Sequence, residues 1–336
     1  MRIIVYIGLP KTATTFYQKY LFPFLDKSEV MYNPPALMKK IGGFIYKEKM
    51  PNNKEISLFY DEINKISKNN VVKTLLIVNE HLGHREWSPD PKRGAELTKL
   101  LFPNAEIILC LRYQSDWLLS LYRHYMDVGG YGNIKRFLNY EINTFIPNKS
   151  RFYFNPHQNA IVSIDIFQAN WPNYIDYFSS KYKREDINIL FFEDFIRDKN
   201  LYTKKICNII GVKNQIPQLD FDKPSNKGRS ALTCKIIELK CSLFDCLGII
   251  PRSISAWNLV IKNNKNKGSK FHILFLIIKY APFQFFMTYF DKILYLDWDI
   301  LLKSNLRKKL DYIYKKSNQG LLKYVPEDEI PSKYIK

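Results

Sequence analysis

Four short apolar runs separated by helix-period segments constrain the fold more than any other feature of the chain. Residues 2–7 (Arg-Ile-Ile-Val-Tyr-Ile) stop at Gly8 and Pro10, and residues 71–78 stop at Asn79-Glu80-His81. Residues 105–111 stop at Arg112, and residues 187–192 stop at Glu193. Runs this short and this continuously apolar read as strands buried on both faces. Helical spacing follows the first in Tyr17, Tyr20, Leu21, Phe24 and Leu25, where Pro23 is expected to end or kink the helix. It follows the third in Trp117, Leu118, Leu121, Tyr122 and Tyr125, with Gly129-Gly130 as the stop, and the fourth in residues 200–211, stopped by Gly211. Residues 163–182 carry a helical pattern interrupted by Pro172. Residues 34–69, broken by Pro34-Pro35 and Pro51-Asn52-Asn53, give no single period. Strand alternating with helix predicts an α/β domain with a central parallel sheet flanked by helices.

This pattern runs to about residue 230, and the chain is all helical in character from Ala231 onward. The expected division is an α/β domain at 1–230 and a basic helical C-terminal extension at 231–336, packed on the same domain. Residues 226–270 hold nine Lys or Arg against Glu238 and Asp245, and residues 301–323 hold seven against Asp311. With 51 Lys and Arg against 32 Asp and Glu, the chain carries +19 and should meet an anionic partner. Five cysteines with no C-x-x-C pair argue against a disulfide framework or zinc ribbon. The first strand begins at residue 2, so no leader is expected.

The turn after the first strand carries the chemistry. Gly8-Leu9-Pro10-Lys11-Thr12-Ala13-Thr14-Thr15 leads directly into a helix. Small residues let backbone N–H groups approach an anion, the helix start adds unpaired donors, three threonines add hydroxyls, and Lys11 adds a positive charge. Lys11 stands only three positions after Gly8, so this is not the Gly-x4-Gly-Lys-Ser/Thr loop of nucleotide triphosphatases.

The G-x-P-K-T-[GA]-T-T form instead resembles the 5′-phosphosulfate loop of the sulfotransferase family. Three further segments extend the resemblance. Arg112 is followed eight positions later by Ser120, the spacing with which that family holds the donor's 3′-phosphate. Phe191-Phe192-Glu193-Asp194-Phe195 is similar to a largely structural stretch after the family's fourth strand. Asn226-Lys227-Gly228-Arg229-Ser230 is similar to a late loop that closes over the nucleotide, in an order that departs from the R-K-G form; a solvated basic turn is the alternative there. The resemblance covers residues 1–230 through scattered motifs and leans towards the bacterial, carbohydrate-directed branch. It implies a P-loop-like sulfotransferase fold and the donor 3′-phosphoadenosine-5′-phosphosulfate (PAPS). The donor contacts it implies are Pro10, Lys11, Thr12, Ala13, Thr14, Thr15, Arg112, Ser120, Lys227 and Arg229.

Sulfonate transfer resembles phosphoryl transfer, so positioning and charge stabilisation should dominate. Lys11 suits the charge developing on the leaving phosphate. The acceptor proton needs a base, for which the end of the second strand offers Glu80 and, as the alternative, His81. His81-x-x-His84 also invites a zinc reading, but Gly83 breaks helical geometry there and no metal is expected. Two other functions compete: a kinase with an atypical phosphate loop, which would need an acidic magnesium ligand, and a basic nucleic-acid-binding protein, against which the core-like spacing of the aromatics speaks. No nucleic-acid partner is expected; the acceptor should be a glycan or glycolipid. Phe271–Phe290 carries Lys279 as its single formal charge and lies between basic stretches. That suits the buried core of a helical subdomain or peripheral contact with an anionic membrane surface, in a cytoplasmic protein at the inner membrane face.

Overall fold

The computed structural model describes residues 1–47, 49–68, 72–85, 88–127, 130, 132–147, 163–212, 217, 219–221, 228–247, 289–291, 293 and 301–336, with backbone alone at 84–85, 88–89 and 244–245. The strands are β1 (Arg2–Gly8), β2 (Val30–Tyr32), β3 (Thr74–Val78), β4 (Glu106–Leu111) and β5 (Ile187–Phe191). The main helices are α1 (Thr14–Tyr20), α2 (Pro35–Ile45), α3 (Asn53–Ser67), α4 (Pro91–Leu101), α5 (Gln114–Asp127), α6 (Trp171–Ser179), α7 (Phe192–Arg197), α8 (Lys199–Ile210), α9 (Ala231–Cys246) and α10 (Ser304–Asn318). They form two compact units, the first of residues 1–114, 169–225 and 312–336, the second of residues 115–168 and 226–311. Residues 312–336, read from the sequence as part of the basic extension, thus pack in the same unit as the sheet.

The first unit is built on a five-stranded sheet of order β2-β3-β1-β4-β5, every pair parallel. The α/β class with a central parallel sheet and a helical C-terminal region is therefore as the sequence predicts. β1 is central, and the chain builds one side of it before crossing to the other. The crevice at a topological switch point thus opens at the carboxyl end of β1. Register aligns the strand ends there: Tyr6 pairs with Val78, and Gly8 with Cys110. Lys11, Glu80 and Arg112 each lie two or three residues past those positions, so one sheet edge carries all three.

Under this edge Tyr6, Phe16, Tyr17, Leu76, Ile108 and Tyr202 are buried in one cluster. Each aromatic ring removed from water contributes about 1.5–3 kcal/mol. Cys110, fully buried, sits 3.0 Å from Tyr202 Oη, and burial pushes its thiol up to about 11. It is packing, not a nucleophile. All five cysteines are free thiols.

Two local expectations change, and one strand goes unread in the sequence. Pro172 does not interrupt a helix; it sits in the first turn of α6, where its missing N–H is no loss, and Asn170 caps that turn by accepting from Asn173 N–H. Residues 34–69 hold two helices. Pro35 opens α2, and Asn52 and Glu55 form a reciprocal capping box at the start of α3, so the prolines that looked like breaks are helix starts. The three-residue edge strand β2 was too short to give a period.

In the second unit, Glu238 on α9 is buried and accepts from Tyr122 Oη at 2.6 Å and Ile134 N–H at 3.3 Å. Ser115 Oγ donates to Asp311 at 2.6 Å, and Arg307 pairs with Asp116. Between residues 132 and 147 lie a helical turn at Ile134–Phe137 and a small hairpin pairing Tyr140–Glu141 with Thr144–Phe145. Among the described residues no helix is long and apolar enough to cross a membrane. Phe271–Phe290, on which the membrane expectation rests, lies outside the described residues except for its last two.

Candidate active site at the carboxyl edge of the sheet

The turn leaving β1 is held by the neighbouring strand, since Leu9 N–H donates to the Cys110 carbonyl at 3.2 Å. Lys11 and Ala13 both take left-handed backbone, φ +68° and +62°. That conformation costs roughly 1–2 kcal/mol for a residue with a Cβ. Turns of this kind direct N–H groups into one concavity, the geometry of an anion-binding nest. Gly8 is required by close approach: a Cβ there would fall 2.3 Å from Thr14 Oγ1 and 2.9 Å from the Tyr6 ring. α1 has seven residues, so it is the nest and the nearby cations, more than a helix dipole, that make this a candidate anion site.

The sequence offers three hydroxyls to that anion; the structure turns two of them inward. Thr12 Oγ1 donates to the Leu9 carbonyl at 2.6 Å and lies 3.2 Å from Thr14 Oγ1. With the Thr12 proton committed to Leu9, Thr14 must donate to Thr12, and both buried side chains brace the loop. Thr15 is half-exposed, whereas Pro10 is buried.

Arg112, just past β4, reaches across to the loop. Its Nη1 donates to the Lys11 carbonyl at 2.8 Å, and its guanidinium lies 4.5 Å over the Phe192 ring. The backbone beside it is pinned on both sides: Trp171 Nε1 donates to the Arg112 carbonyl at 2.8 Å, and Tyr113 N–H donates to Glu193 Oε1 at 3.0 Å. A planar cation held in this way presents a fixed fork, which a bidentate phosphate contact needs.

Glu80 opens a 3-10 turn, Glu80–Leu82, at the end of β3, where the Asn79 side chain accepts from His81 N–H at 2.9 Å. α4 seats the turn closely, because Gly94 has no side chain to meet the Leu82 carbonyl, 2.1 Å from where a Cβ would be. Burial raises the half-buried Glu80 carboxyl above the ordinary carboxylate range, and the charge of Lys11 opposes that rise. His81 is pushed down by burial alone. Its ring lies 6.0 Å from that of Tyr46, in a small cleft with Ile45, Asp90, Arg93 and Leu97. The adjacent residues therefore have different surroundings, Glu80 within the field of Lys11 and His81 against α2 and α4.

Two further sequence candidates lie in the second unit. Ser120 is half-exposed on α5 and belongs to the second unit. Arg229, also of the second unit, is not a solvated basic residue: it is 5% exposed, with Nε 2.9 Å from Asp127 and Nη1 3.5 Å from Asp291. Lys227 lies outside the described residues, as does the side chain of His84. Among the described residues no three of His, Cys, Asp or Glu converge as a metal would need. Trp171 and Tyr334, which grip the Arg112 turn, escaped sequence reading because nothing local marks a contact that spans 59 or 141 positions.

No family model and no curated protein matches the chain. Among solved structures it is similar to a sulfotransferase from Alicyclobacillus acidocaldarius, at 19% identity and TM-score 0.41, over 77% of this chain and 99% of that one. It is similar to the sulfotransferase domain from the curacin biosynthetic pathway, at 14% identity and TM-score 0.35, over 78% and 97%. It is also similar to mouse sulfotransferase SULT7A1 complexed with PAP, at 12% identity and TM-score 0.32, over 64% and 60%.

Proposed function

We propose that this protein is a sulfotransferase that moves a sulfonate group from PAPS to a hydroxyl of a glycan or glycolipid acceptor. The reading rests on one observation: a left-handed anion loop with Lys11, an Arg112 fork bonded to that loop, and a carboxyl raised by burial share one sheet edge. A phosphosulfate anion with a second, separate phosphate suits two cation-bearing positions. A carboxyl raised towards neutral pH suits a general base.

In this mechanism the loop N–H groups and Lys11 hold the 5′-phosphosulfate, and Arg112 takes the 3′-phosphate. Glu80 removes the proton of the acceptor hydroxyl as its oxygen attacks sulfur in line. The new oxygen–sulfur bond forms as the bond from sulfur to the 5′-phosphate oxygen breaks, and the electron pair leaves on adenosine 3′,5′-bisphosphate. Lys11 stabilises the charge that develops there, the kind of interaction that contributes most to such barriers. Base and leaving group flank the sulfonate, so Glu80, on which the charge of Lys11 acts, is favoured over His81, whose ring lies in the cleft with Ile45 and Leu97.

Adenosine 3′,5′-bisphosphate should raise the melting temperature more than AMP at equal concentration, since only the former engages Arg112. Equal shifts would refute the donor assignment. With labelled PAPS and a panel of glycan and glycolipid acceptors, release of the bisphosphate only when an acceptor is present would identify the reaction.

A further inference from the structure

The turn that carries Arg112 is held at three consecutive residues, and the hold runs back to the end of the described chain. The Arg112 carbonyl accepts from Trp171 Nε1, and Tyr113 N–H donates to Glu193 Oε1. The Gln114 side chain exchanges two hydrogen bonds with Asn318, of 2.6 and 3.0 Å. Tyr334 connects the last two of these. It is fully buried, its hydroxyl donates to Glu193 Oε2 at 2.8 Å, and its carbonyl accepts from Asn318 Nδ2 at 3.3 Å. Its ring meets those of Tyr113 and Phe191 edge-on, with centroids 5.3 and 5.1 Å away. All of these residues belong to the first unit.

A phenol buried this completely needs a partner for its hydroxyl, and the partner here is a carboxylate whose other oxygen fixes the amide next to Arg112. Glu193 Oε1, the oxygen that takes Tyr113 N–H, also has Lys333 Nζ at 3.3 Å. Without the Tyr334 hydroxyl, Oε2 loses its buried donor, the carboxylate can rotate about its last bond, and Oε1 is no longer held in line with Tyr113 N–H. The peptide that aims Arg112 then keeps only its Trp171 bond, and the guanidinium is less tightly aligned on the Lys11 carbonyl.

We propose that Tyr334 is a positioning residue that, through Glu193, sets the Arg112 fork for the 3′-phosphate of the donor. The proposal rests on the donor reading of the preceding subsection. It assigns to a residue more than 200 positions from Arg112 a part in discriminating 3′-phosphorylated from plain adenosine nucleotides.

Isothermal titration of the full chain with adenosine 3′,5′-bisphosphate and with AMP tests it. Tyr334→Phe keeps the ring and removes the hydroxyl alone. It should lower the preference for the bisphosphate by about five- to tenfold, the scale of one hydrogen bond, and leave AMP affinity within about twofold. Glu193→Gln, which keeps shape and one acceptor oxygen, should lower the same preference by a smaller factor, and it decides the matter alone if Tyr334→Phe does not fold. A wild-type preference that survives both substitutions overturns the proposal. So does a loss of affinity for both nucleotides in equal proportion, which is what plain destabilisation would give. A wild-type protein with no preference refutes the donor reading itself, and the proposal falls with it.

Discussion

Replacing Ala13 by glycine tests the geometry on which the anion loop depends, and the sign of the effect is the reverse of the usual one. Ala→Gly within an ordinary helix costs about 1 kcal/mol, because glycine loses more backbone freedom on folding. At Ala13 the backbone is left-handed, φ +62°, and relief of the Cβ contact there returns roughly 1–2 kcal/mol. Against this stand about 0.4–1 kcal/mol for the freer unfolded chain and about 0.4 kcal/mol for half of one methyl group's burial. The balance is near zero to about 1 kcal/mol stabilising. The Ala13 carbonyl still accepts from Phe16 and Tyr17 N–H, so the start of α1 is kept. Ala95, fully buried in α4, is the reference: Ala95→Gly has no left-handed strain to relieve and should lose about 1.5–2 kcal/mol. In scanning calorimetry the Ala13 variant should melt at or above the wild type, and the Ala95 variant several degrees below it. A fall at Ala13 equal to that at Ala95 would mean that residue 13 is not left-handed, and the nest would have to be abandoned.

Lys11→Ala should retain the wild-type melting temperature and lose kcat by more than about a hundredfold, as expected of a group acting on transition-state charge; near-normal turnover would remove Lys11 from the mechanism. Glu80→Gln should lower kcat by about a hundredfold or more and abolish the rise of rate with pH, since in the proposed mechanism the deprotonated carboxylate is the base. The pKa of Glu80 is raised by folding, so its stabilising contribution is present at low pH and lost as pH rises through the folded pKa. The Gln variant should therefore gain stability over the wild type above that pH and not at pH 4, measured by urea denaturation at both. If His81→Asn removes the pH dependence and Glu80→Gln does not, the base is His81.

The sequence by itself determined what local physics encodes. Continuous apolar runs specify buried strands, and Gly8-Leu9-Pro10-Lys11-Thr12-Ala13-Thr14-Thr15 marks a candidate anion loop through residue sizes and one charge. The ends of these runs also name Glu80 and Arg112 as edge residues, because a parallel sheet brings like ends of its strands together. Helices α2 and α3 were legible in part: Asn52 with Glu55 three positions on is a capping box, but the flanking prolines masked it. The tertiary structure decided the rest, and in each case the cause is a contact between distant positions. It turned Thr12 and Thr14 inward, because Leu9 left a carbonyl within reach. It gave Glu80 and His81 different surroundings, because the charge of Lys11 acts on Glu80 while the His81 ring lies near Tyr46 and in a cleft with Asp90, Arg93 and Leu97. It also joined Tyr334 to Glu193 across 141 positions and Asn318 to Gln114 across 204. Hydrogen bonds over such separations leave no period and no spacing in the chain, since they form only after the core has brought those segments together.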